Sequence, residues 1–215
     1  MKMSSSGFAP RRRQGGFIQG AILFALVIIA VVVAAFSLAN RDSQSSADSE
    51  QARVNSSFVL KVGNDIQTGI NRAVADGFPP ANLSTNLKFQ ETTTAGELNL
   101  FDDTLKYLIR PQFPPTALAV PANQPFAASG TLEAAITEVA VDGVGVELEN
   151  EAVITIANLK EDVCKRINVT VNGKIVTDAP ETTLALAAAA GQREGCFGSD
   201  GEFSYFRVIA TDVST

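Results

Sequence analysis

Histidine and tryptophan are both missing from this 215-residue chain, which holds only two cysteines, two methionines and two tyrosines. Without imidazole there is no His-based triad and no HExxH metalloprotease site, and most zinc sites are excluded, because each of these needs that ring as base or ligand. Serine, threonine and lysine remain as nucleophiles without a base partner, and the GxSxG, SxxK, P-loop and GxGxxG spacings are all absent. No enzymatic function is expected. No catalytic residue, cofactor or metal is assigned.

Basic charge is also scarce over most of the chain. The formal net charge is −6, yet Lys2, Arg11, Arg12 and Arg13 all precede Gly16, which leaves 13 basic against 23 acidic residues after it. That balance excludes nucleic acid as a partner. The length suits one ordinary domain plus a terminal segment, and a hydrophobic content of 46% is enough for a packed core.

What is present in quantity is an apolar run. From Phe17 to Ala39 no residue is charged, and Gln19 and Ser37 are the only polar side chains. A helix of that length rises roughly 35 Å, enough to cross a hydrocarbon layer of about 30 Å. Arginines 11–13 on one side and Asn40-Arg41-Asp42 on the other predict a cytoplasmic N-terminus and an external remainder. Three fates fit this order: a permanent single-span anchor, a signal peptide cut after Ser37-Leu38-Ala39, or a helix processed at its cytoplasmic end. The apolar stretch is longer than an ordinary signal-peptide core.

The third fate follows from the flank. Arg11 to Gly16, followed by Phe17-Ile18, resembles the prepilin leader of type IV pilins and type II secretion pseudopilins. The resemblance implies that a prepilin peptidase cuts after Gly16 and methylates the new amine of Phe17. It also implies assembly with other pilin or pseudopilin subunits through the N-terminal helix. Most of that family carry glutamate at the fifth mature position, where it pairs with a neighbour's amine. Here that position is Ala21, and the nearest polar residue is Gln19, which can hydrogen-bond but cannot neutralise a charge.

Beyond the run, residues 40–53 are polar but contain neither proline nor glycine. They lead into Val54, Phe58, Val62, Ile66, Ile70 and Val74, apolar at i+4 intervals, which predicts an amphipathic helix ending near Gly77. Gly63 and Gly69 weaken it by roughly 1 kcal/mol each relative to alanine. Joined to the apolar run, this is the spine helix that the pilin resemblance implies; two helices with a polar hinge at 40–50 are the alternative. Seven of the nine prolines then fall between Phe78 and Pro125, a loop-dominated connector with one short helix expected at LFDDTLKYLI.

The C-terminal part reads as strands. Thr131–Val141 and Val144–Leu148 flank Asp142-Gly143 as a hairpin, Ala152–Ile156 is a further strand, and Val169–Val171 and Lys174–Val176 flank Asn172-Gly173 as a second hairpin. Leu159, Val163 and Ile167 predict a short helix carrying Cys164, and Phe203–Thr211 is the clearest strand. If the domain is delivered into an oxidising space, Cys164 and Cys196 read as one disulfide closing a loop of about 33 residues; two buried thiols are the alternative. A C-terminal disulfide loop of this kind resembles the one many type IV pilins use. Ser199–Glu202 reads as a hairpin turn in preference to a calcium loop. The alternating Glu147, Glu149 and Glu151 are expected to point from one strand face into water.

The expected architecture is α+β. A long N-terminal helix, half in membrane and half amphipathic, packs on a small antiparallel sheet with a C-terminal disulfide loop. Its parts are a basic leader (1–16), a transmembrane helix (17–39), an amphipathic spine (40–77), a proline-rich connector (78–130) and the sheet domain (131–215). The partners implied are membrane lipid, the prepilin peptidase and fellow subunits. The place implied is the bacterial inner membrane, N-terminus inside and C-terminal domain periplasmic, or outside the cell within a pilus.

Overall fold

The computed structural model describes residues 16–79, 87–89, 97–101, 107–126, 134–145 and 150–210. The side chains of 16–28, 31–45, 98 and 210 lie outside that description. The first element is helix α1, Gly16–Ala75. Among the described residues no helix is long and apolar enough to cross a membrane, and of the expected span 17–39 only the side chains of Ile29 and Ala30 are described. Two compact units are resolved, residues 1–48 and 49–215. All packing described below belongs to the second.

In that unit the final part of α1 lies on a four-stranded antiparallel sheet ordered β3-β4-β6-β5. The strands are β3 (Ala134–Val139), β4 (Glu151–Leu159), β5 (Glu194–Ser199) and β6 (Glu202–Ala210). Two short helices, α2 (Glu161–Asn172) and α3 (Leu184–Ala189), interrupt the strand order, and a small parallel pair, β1 (Leu87–Lys88) with β2 (Leu98–Asn99), sits in the connector. The architecture is therefore α+β, as the pattern of elements predicts.

Residue alternation along the central strands supplies both faces of the sheet. Ile154, Ile156, Phe203, Tyr205 and Ile209 join Val59, Val62, Ile66, Ile70 and Ala73 of α1 in the main core. Val153 and Phe206, one step out of phase, meet Ala187 and Ala188 of α3 with Val141 and Val144 in a second cluster. Burying Ile66 and Ile70 completely contributes roughly 1.5–3 kcal/mol each. Phe58 stacks edge-on against Phe113 with centroids 5.3 Å apart, and Phe101 meets Phe126 at 5.4 Å. The first pair ties the proline-rich connector to the helix, and the second packs the connector on itself.

The face of α1 differs from the expected stripe. Val62, Ile66 and Ile70 are buried, but Phe58 and Val74 lie at the margins and Val54 is 62% exposed. A strict i+4 series drifts by about 40° per step on a helix of 3.6 residues per turn, so its two ends cannot share a face. The buried face instead runs through Ala52, Asn55, Val59, Val62, Ile66, Ile70 and Ala73.

Both expected hairpins around Gly-containing pairs are corrected. β3 pairs with β4, Val139 opposite Glu151, so the strand returning beside β3 is 151–159, and of the expected strand 144–148 only residues 144 and 145 are described. Gly143 and Gly145 both have positive φ, 72° and 67°, and two left-handed residues so close together cannot sit in a regular ladder. Asn172-Gly173 is a helix end, not a turn between strands: Val169–Val171 belongs to α2, and Gly173 caps it in the left-handed conformation at φ 64°. Val163, Cys164, Ile167 and Asn168 form a buried helical face, and that periodic burial outweighs the strand preference of the valines.

Glu151 is the third correction. It is fully buried, and its Oε2 accepts from the Val141 N–H at 2.8 Å, so it satisfies a loop donor instead of pointing into water. Glu147, Glu149 and residues 102–106 of the expected connector helix lie outside the described residues.

Candidate functional site

Gly16 and Phe17, the proposed processing pair, are the first two residues of α1, and Gln19 and Ala21 follow within its first two turns. The side chains of all four lie outside the described residues.

What is described in full is the seam between α1 and the sheet. Gly63 faces Tyr205 of β6 so closely that a Cβ on it would lie 2.7 Å from the ring carbon bearing the hydroxyl, and closer still to the hydroxyl oxygen. The glycine is thus a notch for a buried aromatic. Tyr205 donates its hydroxyl to Glu194 Oε1 at 2.6 Å, and Arg207 donates to the same oxygen at 3.1 Å. Near the start of the packed segment Asn55, 1% exposed, donates to Thr116 Oγ1 at 3.3 Å and accepts from Gln51 at 3.1 Å. A buried amide whose one partner outside its own helix is Thr116 specifies register more than it adds stability. Tyr205 and Asn55 together therefore set where along α1 the domain sits.

Burial, reinforced by the neighbouring Glu194 charge and its hydrogen bond, pushes the Tyr205 phenol well above its usual range. The unfolded chain then loses that proton first, near pH 10, so the stabilisation is complete below pH 10 and falls by about 1.4 kcal/mol per pH unit above it. Denaturant midpoints of the full chain in detergent are expected to drop more steeply between pH 10 and 11 for the natural protein than for Tyr205→Phe. Parallel curves would exclude this tyrosine as the source.

Cys164 and Cys196 are joined, with Cα atoms 5.3 Å apart, and no free cysteine remains. The bond ties α2 to β5 and both cysteines are fully buried in the main core. Cys196 is the direct cross-strand partner of Tyr205. Ser199–Glu202 is a two-residue hairpin turn, with Asp200 and Gly201 both at positive φ. Among the described residues no group of three or more histidine, cysteine, aspartate or glutamate side chains could hold a metal ion.

No family model, curated protein or solved structure matches the chain.

Two groups of residues central to this geometry escape a reading of the sequence. Gly63 registers there only as a weak point in a helix, and the glycine facing an aromatic 142 positions away leaves no local signal. Asn168 and Asn172, spaced i,i+4 on α2, pair with β5. Their one visible trace is that both amides fall on the helical face that also carries Cys164.

Proposed function

We propose that this chain is a prepilin-like structural subunit of a type IV pilus or secretion pseudopilus. It inserts in the inner membrane with its N-terminus inside, is cut between Gly16 and Phe17 by a prepilin peptidase, and assembles with related subunits through α1. The observation that supports the reading is a single helix from Gly16 to Ala75 whose last turns are laid along a small antiparallel sheet braced by a disulfide. Its work is mechanical. Apolar helices leave lipid for a fibre core, and Lys2 with Arg11, Arg12 and Arg13 must be removed first, because unpaired charges cannot follow a helix into an apolar interior.

The mature N-terminus tests this. Intact mass and N-terminal analysis of the protein from its native membrane should give a chain beginning at methylated Phe17. A chain beginning at Asn40 would replace this reading with secretion, and an intact Met1 would leave a plain anchor. Because Ala21 stands where a glutamate would neutralise a neighbour's amine, Ala21→Glu is expected to raise the yield of sheared fibre. An unchanged or lower yield would mean that the missing carboxylate does not limit assembly.

A further inference from the structure

Among the described residues no strand pairs along the outer edge of β5, which carries only an isolated bridge from Phe197 to Glu181. In the β5–β6 hairpin the backbone groups of residues 194, 196 and 198 alternate with the inward-bonded ones, so they point away from β6. An edge of this kind is an open template for pairing with another chain. Four of these outward groups are met by a side chain or a loop. Asn168 of α2 donates to the Cys196 carbonyl at 2.8 Å and accepts from the Cys196 N–H at 2.8 Å, a two-bond pairing of the sort a neighbouring strand would make. One turn along α2, Asn172 donates to the Glu194 carbonyl at 3.1 Å and is itself held by Gln192 Oε1. Beyond these, the Gly198 N–H donates to the Glu181 carbonyl at 2.7 Å.

The local sequence is shaped to this arrangement. A Cβ on Gly195 would lie 2.7 Å from Asn172 Nδ2 and 3.0 Å from Asn168 Oδ1, so only glycine leaves room for the two amides. The same helix turn carries Cys164, four residues before Asn168, and its disulfide reaches the very residue whose backbone Asn168 covers.

We infer that the Cys164–Cys196 bond is a redox-set latch that holds the asparagine pair of α2 over the edge of β5. In the dithiol chain the edge is only loosely covered and opens independently of the rest of the sheet. A disulfide-bearing oxidant closes it by exchange. One cysteine thiolate attacks the oxidant's S–S bond, and the second displaces the resulting mixed disulfide. The oxidant then departs as a dithiol, carrying the two electrons and two protons lost by the cysteines. Once α1 and α2 are seated, the fully buried bond is out of reach of external thiols.

Native-state amide exchange on the full chain in detergent tests this, comparing the oxidised protein with Cys164→Ala/Cys196→Ala across low denaturant concentrations. In the oxidised protein the amides at 196 and 198 should exchange together with the β4–β6 ladder, by global unfolding. In the bond-free chain they should exchange at least about tenfold faster than the ladder and with little denaturant dependence, the mark of a local opening. If the two sets still exchange together there, the bond is a general brace and the latch is refuted. Should the bond-free chain not fold, Asn168→Ala in the disulfide-intact protein decides. Selective loss of protection at position 196 supports the latch, and retained protection there overturns it.

Discussion

Gly63→Ala is expected to destabilise the protein by about 2–4 kcal/mol, although alanine is the better helix former by roughly 1 kcal/mol. The new methyl would overlap the Tyr205 hydroxyl, and the ring must shift away, against an overpacking cost of about 1–3 kcal/mol. The same shift breaks the bond to Glu194, and hydrogen bonds to charged groups contribute roughly 1.5–3 kcal/mol. Gly69→Ala provides the control on the same helix. Its nearest neighbours would be the Tyr107 carbonyl oxygen at 3.5 Å and Leu100 at 3.6 Å, ordinary contact distances, so that change should stabilise by about 0.4–1 kcal/mol through lower unfolded-state entropy. Denaturant unfolding of both variants of the full chain would settle the matter. Shifts of the same sign would mean that the notch is not what Gly63 provides.

This pair of glycines shows where sequence reasoning reaches its limit. Helix periodicity is local, so an amphipathic segment ending near Gly77 could be read directly, and α1 does end at Ala75. The orientation of its face could not, because the true stripe passes through Asn55 and two glycines, residues that carry no apolar signal. A close approach between a helix and a strand is a property of the pair, and nothing at position 63 alone distinguishes a notch from a flaw.

The same division holds in the sheet. FSYFRVIAT was legible as a strand because aromatic and β-branched residues alternate over its length, and β6 spans Glu202–Ala210. The Asn-Gly pair at 172–173 misled, since a left-handed glycine serves a helix end as readily as a hairpin and the choice depends on what is buried upstream. Cys164, Ile167 and Asn168 are buried against β5, and this tertiary contact decides for the helix. The buried Glu151 shows the converse. The residues just before it, Glu149 and Asn150, are acidic and polar, but pairing opposite Val139 turns it inward, where the Val141 N–H needs an acceptor. The disulfide was legible from an even, sparse cysteine count only when joined to delivery into an oxidising space, whereas the asparagines that share its helix were not legible at all.

The second large effect is expected from removing that disulfide. Cys164→Ala/Cys196→Ala should lower global stability by about 3–4 kcal/mol, the loop-closure value for a crosslink spanning 32 positions. The value of the variant lies in what it does to its neighbour. Cys196 stands directly opposite Tyr205, and Tyr205 is the ring that fills the Gly63 notch. A crosslinked strand resists the small displacement that a methyl at 63 would impose; a free one yields to it. Gly63→Ala should therefore cost less in the bond-free chain than in the oxidised one, with a coupling of about 0.5–3 kcal/mol in a double-mutant cycle, as is usual for residues sharing one packed contact. Free energies that add to within about 0.5 kcal/mol would show that the two sites are independent. A measurable coupling would mean that the bond stiffens the surface on which α1 rests, so that a pull along the helix is carried into a covalently closed part of the domain.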